Sequence, residues 1–354
     1  MPVTYPSLPG AVKALKTSIP TRLQAKVLVM PGAESVTLEV FDVDVTARVT
    51  VPACVSMAGP AVIGLRELAG VKVGKGETAT FTLANETLAV VGAGTVHTFP
   101  VGDVDRWPMA RTFGDGLEVI DLTAADVAEL VNVARCAGAD YARPMLCTVA
   151  VFADGVTCAT DPYRLALGHV SARPAETLVI PAKIVGMFPA GGVRLEVDRT
   201  RDVVVRWDGG EFAAPYGDYP SVRNLVPTSH AYAVTFPVAD LVAMVKAIPA
   251  TRKDLAPVVI KGGEFFYQSG GTAWAGRLEP VTTDGDMIPV AFNPAYLRDA
   301  VAVCATSPAP LVRLEVTTSL KPCLLIPAYS NGEPADTLAR CLLMPVRSTD
   351  TGTA

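Results

Sequence analysis

Val179-Ile180-Pro181-Ala182-Lys183-Ile184-Val185 is an apolar pair followed by a short amphipathic helix, and the chain uses this word three times. The other copies are Val62-Ile63-Gly64-Leu65-Arg66-Glu67-Leu68 and Ala291-Phe292-Asn293-Pro294-Ala295-Tyr296-Leu297. Successive copies begin 117 and 112 residues apart. A second marker keeps that period: Asp105-Arg106-Trp107-Pro108 and Asp218-Tyr219-Pro220 each close a unit, with prolines 112 apart. Solenoid repeats recur every ~20–50 residues, so a period this long describes similar domains in series. The expected division is 1–113, 114–228 and 229–347, followed by a polar tail, 348–354.

Each unit reads as α+β. Thr123-Ala124-Ala125-Asp126 is a helix start, with Thr123 as N-cap and Asp126 near the positive end of the helix dipole. Val127, Leu130, Val131 and Ala134 then form an apolar stripe at helical spacing, with Gly138 as a stop. Leu241, Val245 and Ile248 make a similar stripe ended by Pro249. The second helices begin with a proline suited to a first turn, at Pro181 and at Asn293-Pro294. Between helices lie alternating or β-branched runs: 36–51, 149–158, 193–207 and 311–326.

Composition sets the class. Hydrophobic residues are 50% of the 354 and charged residues only 18%, below the ~25% common in globular chains. The net charge of −5 means that attraction to nucleic acid would need a local basic face. Seven scattered cysteines without a CxxC pair read as free thiols in a reducing cytoplasm. Neither a signal peptide nor a membrane span is expected. Three unpartnered histidines and the absence of a phosphate loop argue against catalysis, and no cofactor or metal is expected.

Two features suggest binding. The stretch from Arg143 to Ala166 carries an apolar run into a compact turn, Thr160-Asp161-Pro162-Tyr163-Arg164, which sets a guanidinium, a phenol and Leu165 side by side at a sheet edge. That is the chemistry of a small peptide-docking pocket, because no nucleophile or acid/base pair accompanies it. The predicted helices also present Lys13, Lys16, Arg66, Arg135, Lys183, Lys246 and Arg298 opposite their apolar stripes. Such a face would give sequence-independent, salt-dependent attraction to duplex DNA, although Glu67, Glu129, Asp240 and Asp299 share these helices.

Four motifs resemble the bacterial β sliding clamp. Arg143-Pro144-Met145-Leu146 through Ala159-Thr160-Asp161-Pro162-Tyr163-Arg164-Leu165-Ala166 is similar to the family's R-P-x-L and A-T-D-G-[YH]-R-L-A. Residues 217–227, GDYPSVRNLVP, are similar to G-x-F-P-D-Y-x-x-V-[LI]-P. Gly285-Asp286 with residues 291–300, AFNPAYLRDA, resembles G-D followed by A-F-N-x-x-Y-L-x-D-A. Leu343-Met344-Pro345-Val346-Arg347 resembles the I-M-P-[MV]-R ending. The four stand in the family's order across the second and third units.

The resemblance implies a DNA-clamp fold: three similar domains, each with two helices packed on antiparallel sheets, and two chains joined head to tail in a ring. A closed ring would also protect strand edges that otherwise aggregate. It implies a processivity factor that encircles duplex DNA and tethers the replicative polymerase, the clamp loader and repair proteins through short linear peptides. Carried over by position, the peptide pocket would comprise Leu146, Thr160, Pro162, Tyr163, Arg164 and Leu165, then Pro220 and Leu225, then Leu342, Met344, Pro345, Val346 and Arg347. The apolar members would anchor aliphatic or aromatic side chains, with Arg164 and Arg347 as rim donors.

Three departures mark this chain. Pro162 stands where the family usually has Gly, Asn224 replaces a common basic residue, and a polar tail follows Arg347. They fit a phage-encoded or secondary clamp as well as a housekeeping one. The alternative is a clamp-like, β-rich interaction or structural protein that does not load on DNA.

Overall fold

The computed structural model describes residues 4–18, 26–42, 45–108, 117–140, 142–200, 203–213, 218–251, 256–335 and 339–347. The expected boundary near 113 and the tail from 348 lie outside the described residues. The chain divides into two compact units, Met1–Val127 with Lys183–Tyr216, and Ala128–Ala182 with Gly217–Ala354.

In the first unit one sheet runs in the order Ala61–Gly64, Lys26–Pro31, Ser35–Asp42, Val45–Ser56, Gly210–Ala213, Val204–Trp207, Gly192–Asp198, Glu118–Thr123. A branch, Ala79–Ala84, Thr87–Gly92 and Thr95–Pro100, leaves it through Val45–Ser56. The period-2 pattern explains the pleat: Val36, Leu38, Val40, Val49 and Val51 are fully buried, while Thr37 and Thr50 on the other face bond at 2.9 Å. Gly210 pairs with Ala47 at φ +148, where a Cβ would lie 2.3 Å from the Thr46 carbonyl oxygen, so only glycine lets these strands meet.

In the second unit nine strands run Leu178–Pro181, Thr148–Val151, Val156–Thr160, Arg164–His169, Arg340–Leu343, Cys323–Ala328, Leu311–Val316, Tyr232–Pro237, Thr282–Gly285. A four-stranded sheet, Thr272–Arg277, Glu264–Ser269, Val258–Lys261 and Val290–Phe292, completes it. The nine-stranded sheet joins distant parts of the sequence where Arg164 pairs with Leu343 and Leu165 with Leu342.

Six α-helices are present among the described residues: α1 (Leu8–Ser18), α2 (Leu65–Leu68), α3 (Ala124–Val133), α4 (Ala182–Val185), α5 (Val238–Ala247) and α6 (Pro294–Cys304). The repeated word is the same object each time. Strands Ala61–Gly64, Leu178–Pro181 and Val290–Phe292 feed α2, α4 and α6. The second marker also has a physical role. Trp107 donates its indole N–H to Glu39 at 2.6 Å, and Tyr219 donates its hydroxyl to the Cys158 carbonyl at 3.5 Å, so each aromatic is fixed by its polar end.

Capping follows expectation. The Thr123 amide and hydroxyl donate to Asp126 Oδ2 at 2.9 and 2.8 Å, and the Asp126 amide returns a bond to Thr123 Oγ1 at 3.2 Å. Asn293 Oδ1 accepts from the amides of Ala295 and Tyr296. The stripe on α3 differs from expectation. Val127, Leu130 and Val133 are buried and Val131 is 40% exposed. The helix tightens into a 3₁₀ turn at Ala134–Cys136, well before Gly138, and that turn carries Cys136 into the core. On α5, Leu241 and Val245 are buried as expected, as is Ile248 just beyond it. All seven cysteines are free thiols.

Candidate functional site

The site is built on the hairpin between Val156–Thr160 and Arg164–His169. Asp161 closes it. Its Oδ1 accepts from the amides of Tyr163 and Arg164 at 2.8 and 3.0 Å, and its Oδ2 accepts from Arg164 Nε at 2.9 Å. A short carboxylate that satisfies its own turn is why Asp suits this position. Pro162 occupies the solvent side of the turn, where a fixed φ and no N–H cost nothing.

Arg164 is only 10% exposed. Besides Asp161 it bonds Asp299 of α6, and its guanidinium carbon lies 4.6 Å from the centroid of the Tyr296 ring. Burial opposes the charged form, but Cys136, Asp161 and Asp299 outweigh it and hold Arg164 above the usual arginine value. Tyr163, 54% exposed, stacks on Tyr296 at 5.7 Å with 20° between ring planes. A cleft of about 340 Å³ opens beside this stack, lined by Gly138, Ala139, Asp140, Arg143, Leu146, Asp161, Pro162, Tyr163 and Tyr296.

Under the hairpin, Leu165, Leu167, Leu324, Ile326, Leu342, Cys158, Ala150 and Val222 form one buried cluster, flanked by Phe152, Val156, Tyr219 and Val226. Burial pushes the Cys158 thiol up to about 12 and raises Tyr219 as well. Val222 roots the 218–227 segment in this cluster. Arg223 fastens the segment from outside, bonding Asp154 at 2.8 Å with its guanidinium 5.0 Å from the Phe152 ring. Leu225 is left 54% exposed, and Pro220 is exposed. Beyond Arg340–Leu343, the Met344 amide donates to the Tyr163 carbonyl at 2.8 Å and the Val346 amide to Ala291 at 2.7 Å.

The three segments expected to form the pocket therefore meet in one unit, but their residues do different things. Leu146, Pro162 and Tyr163 line the cleft. Leu165, Leu342 and Thr160 are buried in the sheet. Met344, Pro345 and Val346 are half-buried and Arg347 is exposed. Pro220, Leu225 and residues 344–347 are not among the residues lining the 340 Å³ cleft. Arg164, read as a rim donor, faces two carboxylates. Tyr296 and Asp299 fall within the 291–300 motif and Asp140 in a turn, and nothing in the sequence spacing points any of the three toward this site.

Of the basic helix residues, Lys13, Lys16, Arg66, Arg135 and Lys246 are exposed and Lys183 and Arg298 half-buried. Arg298 donates to the carbonyls of Val245 and Ile248 at 2.9 and 2.6 Å, so its guanidinium caps α5.

No family model matches the chain. Its curated relatives include the beta sliding clamp of Streptomyces coelicolor, 27% identical over 95% of both chains. Another is a beta sliding clamp homolog, GriR, of Streptomyces muensis, 25% identical over 94% of both. Among solved structures, the DNA polymerase III beta subunit of Thermotoga maritima superposes over 97% of both chains with TM-score 0.73 at 15% identity. The sliding clamp of Bartonella birtlesii bound to griselimycin gives TM-score 0.73 at 17% identity, covering 96% of this chain and 97% of that one. The Helicobacter pylori beta clamp bound to a DNA ligase peptide gives 0.67 at 14%, covering 96% and 98%. The fold is the bacterial DNA-clamp fold. The resemblance carried by the four motifs is borne out: the chain is similar along nearly its whole length to beta sliding clamps.

Proposed function

We propose that the chain is a DNA sliding clamp: a non-catalytic ring of two copies, three domains each, that encircles duplex DNA in the cytoplasm and tethers replication and repair proteins. The observation that carries this reading is likeness to a named beta sliding clamp over 95% of both chains, joined to a clamp fold over 97% of the chain. The domains would follow the sequence division at 113, 228 and 347. No helix among the described residues is long and apolar enough to cross a membrane.

The exposed basic residues Lys13, Lys16, Arg66, Arg135 and Lys246 would face DNA. A topological tether needs only loose phosphate contacts, since tight ones would slow sliding. Partner peptides, such as the ligase peptide on the Helicobacter pylori clamp, would dock at the hairpin 160–165, the 218–227 segment and residues 344–347. Exposed Leu225 and Tyr163 and half-buried Met344 would supply apolar anchors there.

Loading on circular and linearised DNA tests the mechanism. The protein is expected to stay on closed circles and to run off after linearisation, whereas equal retention on both would end the reading. Light scattering is expected to give a dimer of twice 37.0 kDa.

A further inference from the structure

We infer that Asp299 of α6 is a positioning residue for partner-peptide recognition: it locks Arg164 against Tyr296, which fixes the Tyr163 wall of the cleft and withholds Arg164 from a peptide carboxylate. The inference rests on the peptide-site reading above and deepens it.

Four observations carry it. Arg164 is the hairpin's arginine, its side chain is 10% exposed, and its Nε and Nη1 donate to Asp161 and Asp299. Asp299 is itself only 16% exposed, so the pair is shielded from the solvent that weakens surface ion pairs. The guanidinium sits over the Tyr296 ring, and Tyr296 in turn stacks on Tyr163. Tyr163 and Tyr296 both line the cleft, so the orientation of its wall passes through Arg164.

The two carboxylates differ in kind. Asp161 lies in the turn and closes it by bonding the amides of Tyr163 and Arg164, so the turn keeps its shape without help. Asp299 arrives from a helix 135 residues away in sequence and ties that turn to α6. A planar, five-donor guanidinium can serve both acids and still present a flat face to an aromatic ring, which an ammonium cannot. Once paired in this way the cation offers little to an acidic side chain on a docking peptide. Arg164 is therefore expected to act on a peptide through the aromatic wall it fixes and not through its own charge; the charged groups on the cleft itself are Asp140, Arg143 and Asp161.

The test uses the full-length protein and fluorescence anisotropy. Two short labelled peptides carry leucine and phenylalanine anchors; one has an aspartate beside the anchors, the other an asparagine. The wild type is expected to bind both alike. Asp299→Asn is expected to weaken the asparagine peptide about tenfold and to favour the aspartate peptide, because Arg164 is released. Asp299→Glu should retain wild-type affinity, and Asp299→Asn should add nothing in an Arg164→Gln background.

Wild-type affinity of Asp299→Asn for both peptides would overturn the inference, as would an equal loss in the presence and absence of Arg164. If Asp299→Asn does not fold, Arg164→Lys asks the same question with both acids intact, and undiminished binding by that variant overturns it. Leu225→Ala keeps the two levels apart. A loss there without a loss in Asp299→Asn sinks only this inference, and no binding by the wild type sinks the peptide-site reading with it.

Discussion

The Met344 amide lies 2.8 Å from the Tyr163 carbonyl oxygen, so the segment after the last described strand is laced to the tip of the hairpin. The Val346 amide repeats the stitch on Ala291, at the entry to α6. Backbone bonds of this kind hold residues 344 and 346 in place without using their side chains.

Met344→Ala keeps both stitches and removes only the side chain. We expect partner-peptide affinity to fall about tenfold, on the order of 1.4 kcal/mol, with little change in Tm. Calorimetric titration beside a thermal melt checks this. An unchanged Kd would remove residue 344 from the site.

Arg298 and Lys246 should separate in their salt response. Lys246→Gln is expected to reduce the slope of log K against log salt for DNA by about one. Arg298→Gln should leave that slope alone and destabilise the fold by about 2 kcal/mol, because two carbonyls at the end of α5 lose a charged donor. A reversed pattern would make Arg298 the DNA contact.

Glu129 gives a pH signature. One carboxylate oxygen is buried without a partner, and burial raises its pKa despite bonds from the His169 backbone and the Asn132 side chain. The folded state thus holds the proton more tightly than the unfolded chain. The stability it contributes is present in acid, below the ordinary carboxylate range, and is lost as pH rises through the raised folded value. Glu129→Gln should melt higher than the wild type at neutral pH and match it in acid. Parallel melting curves across that range would contradict the sign.

Thiol chemistry should follow burial. Cys54 is exposed and Cys147 half-buried, while the other five are buried. With Cys158 held near 12 and Cys341 raised well above the usual thiol range by its bond to Cys136 and by burial, neither offers thiolate at pH 8. Iodoacetamide followed by mass spectrometry should mark Cys54 first, then Cys147, and the rest only in denaturant.

Local chemistry was legible in the sequence wherever it was local in space. The repeated word became strand then helix three times, and the caps at Thr123 and Asn293 formed as their side chains dictate. The α3 stripe differs at Val131, which lies within the α-helix on its exposed side, while the buried face runs through Val127, Leu130 and Val133 into the 3₁₀ turn at Cys136. The roles of Arg164 and Arg298 were illegible for a different reason. Asp299 lies 135 residues from Arg164, and Val245 lies 53 from Arg298, beyond any periodicity or spacing rule. Leu165 and Leu342 are expected in the pocket, but they pair across the sheet and are buried in it.

The pairing of Arg164–His169 with Arg340–Leu343 has a consequence for biosynthesis. The strand in the middle of the nine-stranded sheet is the last of the nine to be translated. Until it emerges from the ribosome, Arg164–His169 and Cys323–Ala328 each present an open edge that invites association with other chains. A nascent chain of this architecture would therefore need shelter between the synthesis of His169 and that of Arg340, and its slow step should be the late insertion of one four-residue strand between two waiting neighbours.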